Sequence, residues 1–193
     1  GFFLVCHDDV APEPNAVRLL VEEMYRSNAG IVGPKLREWH QPGVLQSVGW
    51  GLDRFGEIDN RVERGEIDQE QHDGVRDAFV IPSAFMLIRA DLFRALGGFD
   101  PALTFHGDDV ELCWRAHHSG ARVVVVPSAR ARHIGSIAAR RPDLNHRALA
   151  ARHRMRAVAT LTAGGRLPAR LVQLVVLTVA ELVVGPLTGR LTM

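Results

Sequence analysis

Two pairs of adjacent aspartates give this chain its clearest potential for chemistry: Asp8-Asp9 and, about a hundred residues later, Asp108-Asp109. The first pair follows a short apolar run, as a carboxylate does at the end of a buried strand. Paired carboxylates in that position can hold Mg²⁺ or Mn²⁺ against phosphate oxygens, because these hard cations prefer oxygen ligands. A second acidic pair across the same cleft can supply a general base. The alternative is that both pairs only mark turns and helix caps.

The size and composition of the chain indicate one globular domain. It has 193 residues, of which 47% are hydrophobic and 23% charged, within the range of ordinary folded domains. The two cysteines, Cys6 and Cys113, lie in apolar runs without metal-ligand spacing, so we predict that both are reduced and buried. No signal peptide opens the chain. It starts inside a predicted strand, and we therefore expect a fragment whose preceding residues belong to the same sheet.

Charge is divided unevenly along the chain. Residues 1–129 carry a net charge of −8 and residues 130–193 a net charge of +9, with Lys35 as the only lysine. An arginine-rich segment can bind nucleic acid, anionic lipid or a phosphorylated ligand. Aromatic residues do not alternate with these arginines, so we predict no nucleic-acid partner.

The segment 171–189 favours a membrane partner. It is rich in Leu and Val and lies between Arg170 and Arg190, although it contains Glu181 and Pro186. Nineteen residues are close to the length of a membrane span. A spanning helix, an interfacial helix and an ordinary buried helix all remain open. Arginines before the segment predict that the preceding residues face the cytoplasm.

Hydrophobic periodicity predicts an α/β domain. A buried strand at residues 2–5, a helix at 16–27 capped by Asn15 and a second strand at 31–36 form a parallel crossover unit. Further strands are predicted within 79–88 and at 123–126, and further helices at 91–96, 110–118 and 145–161. The dipole of the helix that starts at 110 favours the ionised state of Asp108 and Asp109.

Residues 37–77 are predicted to form a long, polar, glycine-rich loop. A loop of this length inside a compact domain is usually functional or mobile. Trp39 and Trp50 lie in it, where an indole can act as a platform for a sugar ring or an apolar acceptor. The alternative is that both tryptophans only anchor the loop to the core.

An ordered set of segments resembles the family 2 glycosyltransferases of GT-A fold, in particular bacterial rhamnosyl- and galactofuranosyltransferases and large actinobacterial members with appended membrane spans. The similarity covers about residues 2–135 and rests on residues 7–14, 31–36, 84–89, 96–100, 107–115, 125–127 and His133. The resemblance implies an incomplete GT-A mixed sheet at 1–163, followed by a membrane-spanning or interfacial helix at 164–193. It also implies that the nucleotide-binding part precedes Gly1, so we expect the 193 residues alone to be inactive.

The same resemblance assigns roles to individual residues. Asp8 and Asp9 match the motif that binds the sugar-nucleotide diphosphate through Mg²⁺ or Mn²⁺. His7 stands where many members have an aspartate, and His133 matches a histidine that completes the metal site in some of them. Asp109, with Asp108 beside it, matches the pair that carries the catalytic base.

The sequence therefore predicts an inverting, metal-dependent glycosyltransferase at the cytoplasmic face of a bacterial inner membrane. Its donor is expected to be a nucleotide-diphosphate sugar, and its acceptor a cell-envelope glycan or a lipid-linked glycan. We expect Trp50, Trp39 and His106 to contact the acceptor. Two alternatives remain: an inactive transferase-like scaffold, favoured by His7, and a metal-dependent phosphoryl-transfer hydrolase, which lacks a recognisable phosphate-binding loop.

Overall fold

The computed structural model describes residues 1–53, 57–103, 105–135 and 137–162, together with residues 168, 169, 172 and 176. Within these residues the chain forms nine strands and five helices. In chain order they are β1 (Phe2–Cys6), β2 (Val10–Pro12), α1 (Ala16–Ser27), β3 (Ile31–Glu38), β4 (Leu45–Ser47), β5 (Trp50–Leu52), β6 (Ile58–Asn60), β7 (Arg76–Asp77), β8 (Phe85–Arg89), α2 (Ala90–Ala95), α3 (Asp108–His118), β9 (Val123–His133), α4 (Ile137–Arg140) and α5 (His146–Leu161).

The main sheet is mixed, as predicted. Its strands follow the order β1-β8-β3-β9-β2, with β4 beside β3 and β7 beside β9. Strands β3 and β9 run parallel, whereas β8 is antiparallel to both β1 and β3. The predicted crossover from β1 through α1 to β3 is therefore present, but β8 lies between its two strands.

Helices cover both faces of this sheet because its central strands are apolar on both sides. On one face, Leu20 and Met24 of α1 pack against Val32 and Val124. On the other face, Leu112 of α3 packs against alternate residues of the same strands, such as Ile31 and Val123. Burial of each such side chain contributes about 1.5–3 kcal/mol to folding.

The predicted helices are confirmed with small differences at their ends. Helix α1 has the predicted bounds, although the Asn15 side chain makes no capping hydrogen bond. Helix α3 begins at Asp108, two residues earlier than predicted. Helix α5 begins at His146, and the Asn145 side chain caps it by accepting a hydrogen bond from the N–H of Ala148 at 3.0 Å.

Strand β1 is not buried, which corrects the prediction from its apolar run. It is the first strand in the sheet order, and Phe3 and Leu4 are 38% and 45% exposed. Cys6 at its end is also exposed, while Cys113 is fully buried, and both thiols are free. Four apolar residues in a row fit a strand at the sheet edge as well as one in the centre, so the pattern alone did not distinguish them.

Strand β9 extends seven residues beyond the predicted end at Val126. Its parallel register with β3 shifts between Pro34 and Lys35, so that Val126 pairs with Pro34 and Arg130 with Lys35. The irregularity accommodates Pro127, which lacks a backbone N–H for the ladder. The strand then continues to His133, which brings that histidine to the edge of the sheet where the first acidic pair lies.

The region 37–77 is more ordered than a long loop. It contains β4 and β7, which join the main sheet, and the separate antiparallel pair β5–β6. Lys35 on β3 is completely buried and binds carboxylates from this region, with its Nζ 2.7 Å from Oδ1 of Asp68 and a second ion pair to Asp73. The buried ammonium thus ties the region to the sheet.

Most of the segment 171–189 predicted to contact a membrane lies outside the described residues. In the part of the chain that the structure describes, no helix has the length and apolar character needed to cross a membrane.

Candidate active site

Strand pairing brings the first acidic pair next to His133. Val10 on β2 is in register with His133 on β9, and the N–H of Ile134 donates to the carbonyl of Asp9 at 3.1 Å. The side chain of Asp9 is buried, and its Oδ1 lies 3.3 Å from Nε2 of His133.

His7, Asp9 and His133 form a cluster that could hold a metal ion. Each offers one ligand atom, and these atoms lie within 4.8 Å of one another. Nδ1 of His7 is 3.9 Å from Oδ1 of Asp9. Burial lowers the pKa of His133, against the opposing effect of Asp9, which favours the neutral imidazole that a metal requires.

Arg140 on α4 binds both carboxylates of the first pair. Its Nη1 lies 2.8 and 2.9 Å from the two oxygens of Asp8, and its Nη2 lies 3.4 Å from Oδ2 of Asp9. The guanidinium therefore places a positive charge directly beside the candidate metal ligands.

The second acidic pair stands at the start of α3, after a tight turn. His106 and Gly107 have φ angles of 60° and 88°, and this left-handed backbone is uncommon for residues other than glycine. The turn directs Asp109 into the protein, where it is 8% exposed. Its Oδ2 accepts from the N–H of Ser83 at 3.3 Å and its Oδ1 from the N–H of Val110 at 2.8 Å.

The pKa of Asp109 is raised to about 7, chiefly by burial and secondly by the charge of Asp108. The raised pKa opposes the predicted effect of the helix dipole, which favours the ionised state of Asp109. Desolvation of a buried carboxylate can exceed the stabilisation that the first turn of a helix provides. A carboxyl group with a pKa near neutrality is well suited to accept a proton at physiological pH.

The adjacent residues Ser83 and Ala84 connect the two acidic pairs. The N–H of His7 donates to the carbonyl of Ala84 at 2.9 Å, and the N–H of Ser83 donates to Asp109. Both groups consequently line one cleft of about 1430 Å³. Asp8 and His133 stand on its wall with Asp108 and Asp109.

The three residues predicted to contact an acceptor have different positions. Trp50 and His106 line the cleft. Trp39 does not, and its indole instead lies under the guanidinium of Arg132, 5.0 Å from the ring centroid. His106 is part of a histidine chain, with its Nε2 2.8 Å from Nδ1 of His146 and its carbonyl 2.7 Å from Nδ1 of His153.

Several side chains of the site were not predicted. Gln46, Ser83, Arg140, Arg141 and His153 all line the cleft. Gln46 was hidden in the polar region 37–77, and the arginines were counted only as part of the basic segment. The local sequence, Leu45-Gln46-Ser47-Val48, offers no signal that distinguishes Gln46 from a residue of a solvated loop.

Arg115 has a structural role on helix α3, which carries Asp109. Its guanidinium donates to the carbonyls of Leu96 and Gly98 at 2.6 and 2.8 Å, and it pairs with the buried Glu111. It therefore fixes the glycine turn that carries Phe99, a cleft residue, to helix α3.

The chain is similar in sequence to known proteins. The chain is 32% identical over 136 residues to the O-antigen biosynthesis protein RfbC of Myxococcus xanthus, a match that covers 68% of this chain and 10% of RfbC. It is 35% identical over 121 residues to the pre-mycofactocin glycosyltransferase of Mycobacterium tuberculosis (strain CDC 1551 / Oshkosh), covering 57% of this chain and 25% of that protein. The chain thus spans a quarter or less of the length of these curated relatives.

The fold is similar to that of a solved glycosyltransferase. The crystal structure of GalNAc-T7 with UDP, GalNAc and Mn²⁺ aligns with a TM-score of 0.52 at 13% sequence identity, over 68% of this chain and 27% of that one. Residues 2–160 match the family described as glycosyltransferase like family 2. Because this family match covers most of the chain, the chain belongs to the family 2 glycosyltransferases.

Proposed function

We propose that the protein is an inverting, metal-dependent glycosyltransferase that uses a nucleotide-diphosphate sugar as donor. One observation carries the proposal: two members of a cluster able to bind a divalent ion, His7 and His133, line the same cleft as a buried carboxyl group with a pKa of about 7. Such a cleft can hold the diphosphate of the donor and the hydroxyl group of the acceptor close together.

Asp9, His133 and His7 are the residues that would hold the ion, with Asp8 beside them. When bound, the ion neutralises the charge of the diphosphate leaving group. Two imidazole nitrogens and one carboxylate oxygen fit Mn²⁺ better than Mg²⁺, because Mg²⁺ strongly favours oxygen ligands. His7 therefore changes the preference for the ion rather than removing the site.

Asp109 is the proposed general base. Its ionised carboxylate takes the proton of the acceptor hydroxyl while that oxygen forms a bond to the anomeric carbon of the donor sugar. The bond between the anomeric carbon and the diphosphate oxygen breaks at the same time, and the electron pair leaves with the diphosphate. Attack from the face opposite the leaving group inverts the anomeric configuration. Asp108 raises the pKa of Asp109 and so increases its basicity.

We further propose that the acceptor is a cell-envelope glycan or a lipid-linked glycan at the cytoplasmic face of a bacterial inner membrane. Two observations support this. One relative is named as an O-antigen biosynthesis protein, and residues 130–193 carry a net charge of +9, which favours an anionic membrane surface.

Mass-spectrometric screening of nucleotide sugars with the whole protein and Mn²⁺ tests the proposal. We expect turnover of one donor, and we expect Asp109→Asn to remove it while leaving donor binding in place. Asp143→Asn is the matched control, since Asp143 is exposed and pairs with Arg141. If Asp109→Asn retained full transfer, the assignment of the base would be wrong. If the protein transferred no sugar and Asp109→Asn changed none of its measured properties, the scaffold alternative would be favoured.

A further inference from the structure

Gln46 on β4 contacts the imidazole of His133 and the backbone of the same residue. Its Oε1 lies 2.7 Å from Nδ1 of His133, and its Nε2 donates to the carbonyl of His133 at 3.4 Å. On the opposite side of the ring, Nε2 of His133 lies 3.3 Å from Oδ1 of Asp9.

These two contacts determine the orientation of the Gln46 amide. The amide oxygen can only accept and the amide nitrogen can only donate. With the amide rotated by half a turn, its oxygen would face the carbonyl oxygen of His133, and two acceptors would oppose each other. The observed orientation has the amide oxygen facing Nδ1, where it can accept a hydrogen bond from an imidazole that carries its proton on Nδ1.

We propose that Gln46 is a positioning residue that fixes His133 in the Nδ1–H tautomer, so that the lone pair of Nε2 points into the metal cluster. The inference rests on the proposed metal-dependent function. A second hydrogen bond to the non-coordinating nitrogen orients a histidine ligand and increases its basicity. Gln46 is suited to this role because it donates nothing to the ring and carries no charge that would compete for the ion.

Gln46 is itself held in place by the region 37–77. Its neighbour Ser47 pairs with Leu36 across the β3–β4 ladder, and its own carbonyl accepts from Nδ2 of Asn60 on β6 at 3.2 Å. The polar region 37–77, which was predicted to be a loop, thus places the amide of Gln46 against the candidate metal ligand His133.

The tautomer can be measured directly in the metal-free protein. Long-range ¹H–¹⁵N correlation spectra of histidine-labelled protein at pH 8 distinguish Nδ1–H from Nε2–H imidazoles. We expect His133 to be Nδ1–H in the wild type and in Gln46→Glu, whose carboxylate also accepts from Nδ1. In Gln46→Met, which keeps the length but has no acceptor, we expect the Nε2–H form to increase. An unchanged His133 spectrum in Gln46→Met would overturn the inference.

Mn²⁺ titration calorimetry gives a second and independent readout. Loss of such a supporting contact typically weakens metal binding by about 10–100-fold, so Gln46→Met should weaken Mn²⁺ binding to that extent and Gln46→Glu should restore most of it. Gln46→Asn, whose shorter amide draws the oxygen away from Nδ1, should behave like Gln46→Met and serves if that variant does not fold. Gln41→Met at an exposed glutamine is the matched control and should bind Mn²⁺ like the wild type.

The outcomes separate this inference from the proposed function. Asp9→Asn should abolish Mn²⁺ binding. If Asp9→Asn and the wild type bound Mn²⁺ equally, the proposed metal site would be wrong, whatever the histidine spectra show. If Asp9→Asn lost the ion while Gln46→Met and Gln46→Asn bound it like the wild type, the metal site would stand and the role of Gln46 would be refuted.

Discussion

The backbone N–H of Ser83 lies 3.3 Å from Oδ2 of the buried Asp109. Together with the N–H of Val110 at 2.8 Å from Oδ1, it provides the hydrogen bonds that partly compensate for burying this carboxylate. They do not compensate fully, because the pKa of Asp109 is still raised to about 7. The protein therefore keeps at its cleft a group that is costly to ionise in the folded state.

The first prediction is that Asp109→Asn stabilises the fold at high pH. Because the folded-state pKa of Asp109 is raised, the folded protein binds more protons than the unfolded chain between about pH 4 and 7, and stability falls as pH rises through that window. Removing the ionisable group should increase the free energy of unfolding by roughly 1–4 kcal/mol at pH 8.5, since each pKa unit corresponds to about 1.4 kcal/mol. Urea unfolding at pH 4 and pH 8.5 measures the difference, which should be small at pH 4.

Asp91→Asn is the control, because the pKa of Asp91 is lowered where that of Asp109 is raised. Arg89 holds the pKa of Asp91 down at about 2, so its charge favours the folded state above the unfolded pKa. Its removal should not stabilise the protein at pH 8.5. A stabilisation of the same size in both variants would mean that the effect comes from net charge and not from the burial of Asp109.

The second prediction concerns the pH dependence of transfer. A base with a pKa of about 7 in the free protein is protonated below that pH and cannot accept the hydroxyl proton. We expect kcat/KM to fall about tenfold for each pH unit below 7, because this parameter reports the ionisation of the free enzyme. Pre-steady-state measurement of product formation between pH 5 and 9 checks it, and the apparent pKa belongs to the Asp108–Asp109 pair as a whole. A flat profile from pH 5 to 8 would exclude Asp109 as the base.

Sequence patterns predicted the positions of helices and strands along the chain better than the order in which the strands pair in the sheet. Helix α1 was predicted with its observed bounds because Leu20 and Met24 recur at helical spacing and Asn28 ends it in a left-handed conformation. The edge position of β1 was not predictable, since an apolar run does not show which strand lies beside it. The extension of β9 was missed because Pro127 normally ends a ladder, whereas here a change of register carries the strand past it.

The residues of the site were predictable where they form a distinctive pattern, and not where they stand singly in polar sequence. Asp9 and Asp109 stood out as members of acidic pairs, and the structure places Asp8, Asp108 and Asp109 on the wall of one cleft, with Asp9 buried next to His133 of the same wall. Gln46 and Arg140 are of types that usually lie on solvated surfaces, so nothing in their local sequence distinguishes them. The strand pairing that brings β4 and β9 to β3 is what places Gln46 against His133. The contact of Arg140 with Asp8 depends on the position of α4 after β9.

The third prediction is that His7→Asp changes which ion supports activity. The substitution replaces an imidazole with a carboxylate next to Asp9, and oxygen donors suit Mg²⁺ better than nitrogen donors do. We expect the ratio of activity with Mg²⁺ to activity with Mn²⁺ to rise by about tenfold, an estimate from the preference of each ion for its donors. Metal titrations of the transfer rate measure the ratio. His40→Asp, at an exposed histidine, is the matched control, and an equal change in both variants would contradict a role for His7 in the site.

The fourth prediction is that Arg140→Ala strengthens Mn²⁺ binding by the metal-free protein. Arg140 contacts both oxygens of Asp8 and lies 3.4 Å from Asp9, so an incoming cation must compete with its positive charge. Two unit charges about 4 Å apart repel by about 4 kcal/mol near a protein surface, and part of that repulsion should appear as several-fold tighter binding in calorimetry. Arg141→Ala is the matched control because Arg141 pairs with Asp143 instead. Weaker Mn²⁺ binding in Arg140→Ala would show that the arginine supports the site and does not compete with the ion.

The fifth prediction concerns Lys35, which is fully buried and pairs with Asp68 and Asp73. Replacing it with methionine keeps the volume of the side chain but leaves two carboxylates that pair, among the described residues, with Arg37 and Arg130 at the longer distances of 3.2 and 3.7 Å. Removing one partner of a buried ion pair typically costs about 3–5 kcal/mol because a charge remains without compensation. We expect Lys35→Met to lower the free energy of unfolding by about that amount in urea titrations.

Removal of the carboxylates tests the cause of this loss. The triple variant Lys35→Met/Asp68→Asn/Asp73→Asn should recover a large part of the stability, because no carboxylate is then left without its ammonium. Arg18→Met breaks the exposed pair with Glu22 and should cost less than about 1 kcal/mol. Since Lys35 fixes the region that carries Gln46, we also expect Lys35→Met to increase proteolysis within residues 61–77 before the rest of the domain is cleaved. Uniform cleavage along the chain would show instead that the buried pair supports the whole sheet and does not specifically anchor this region.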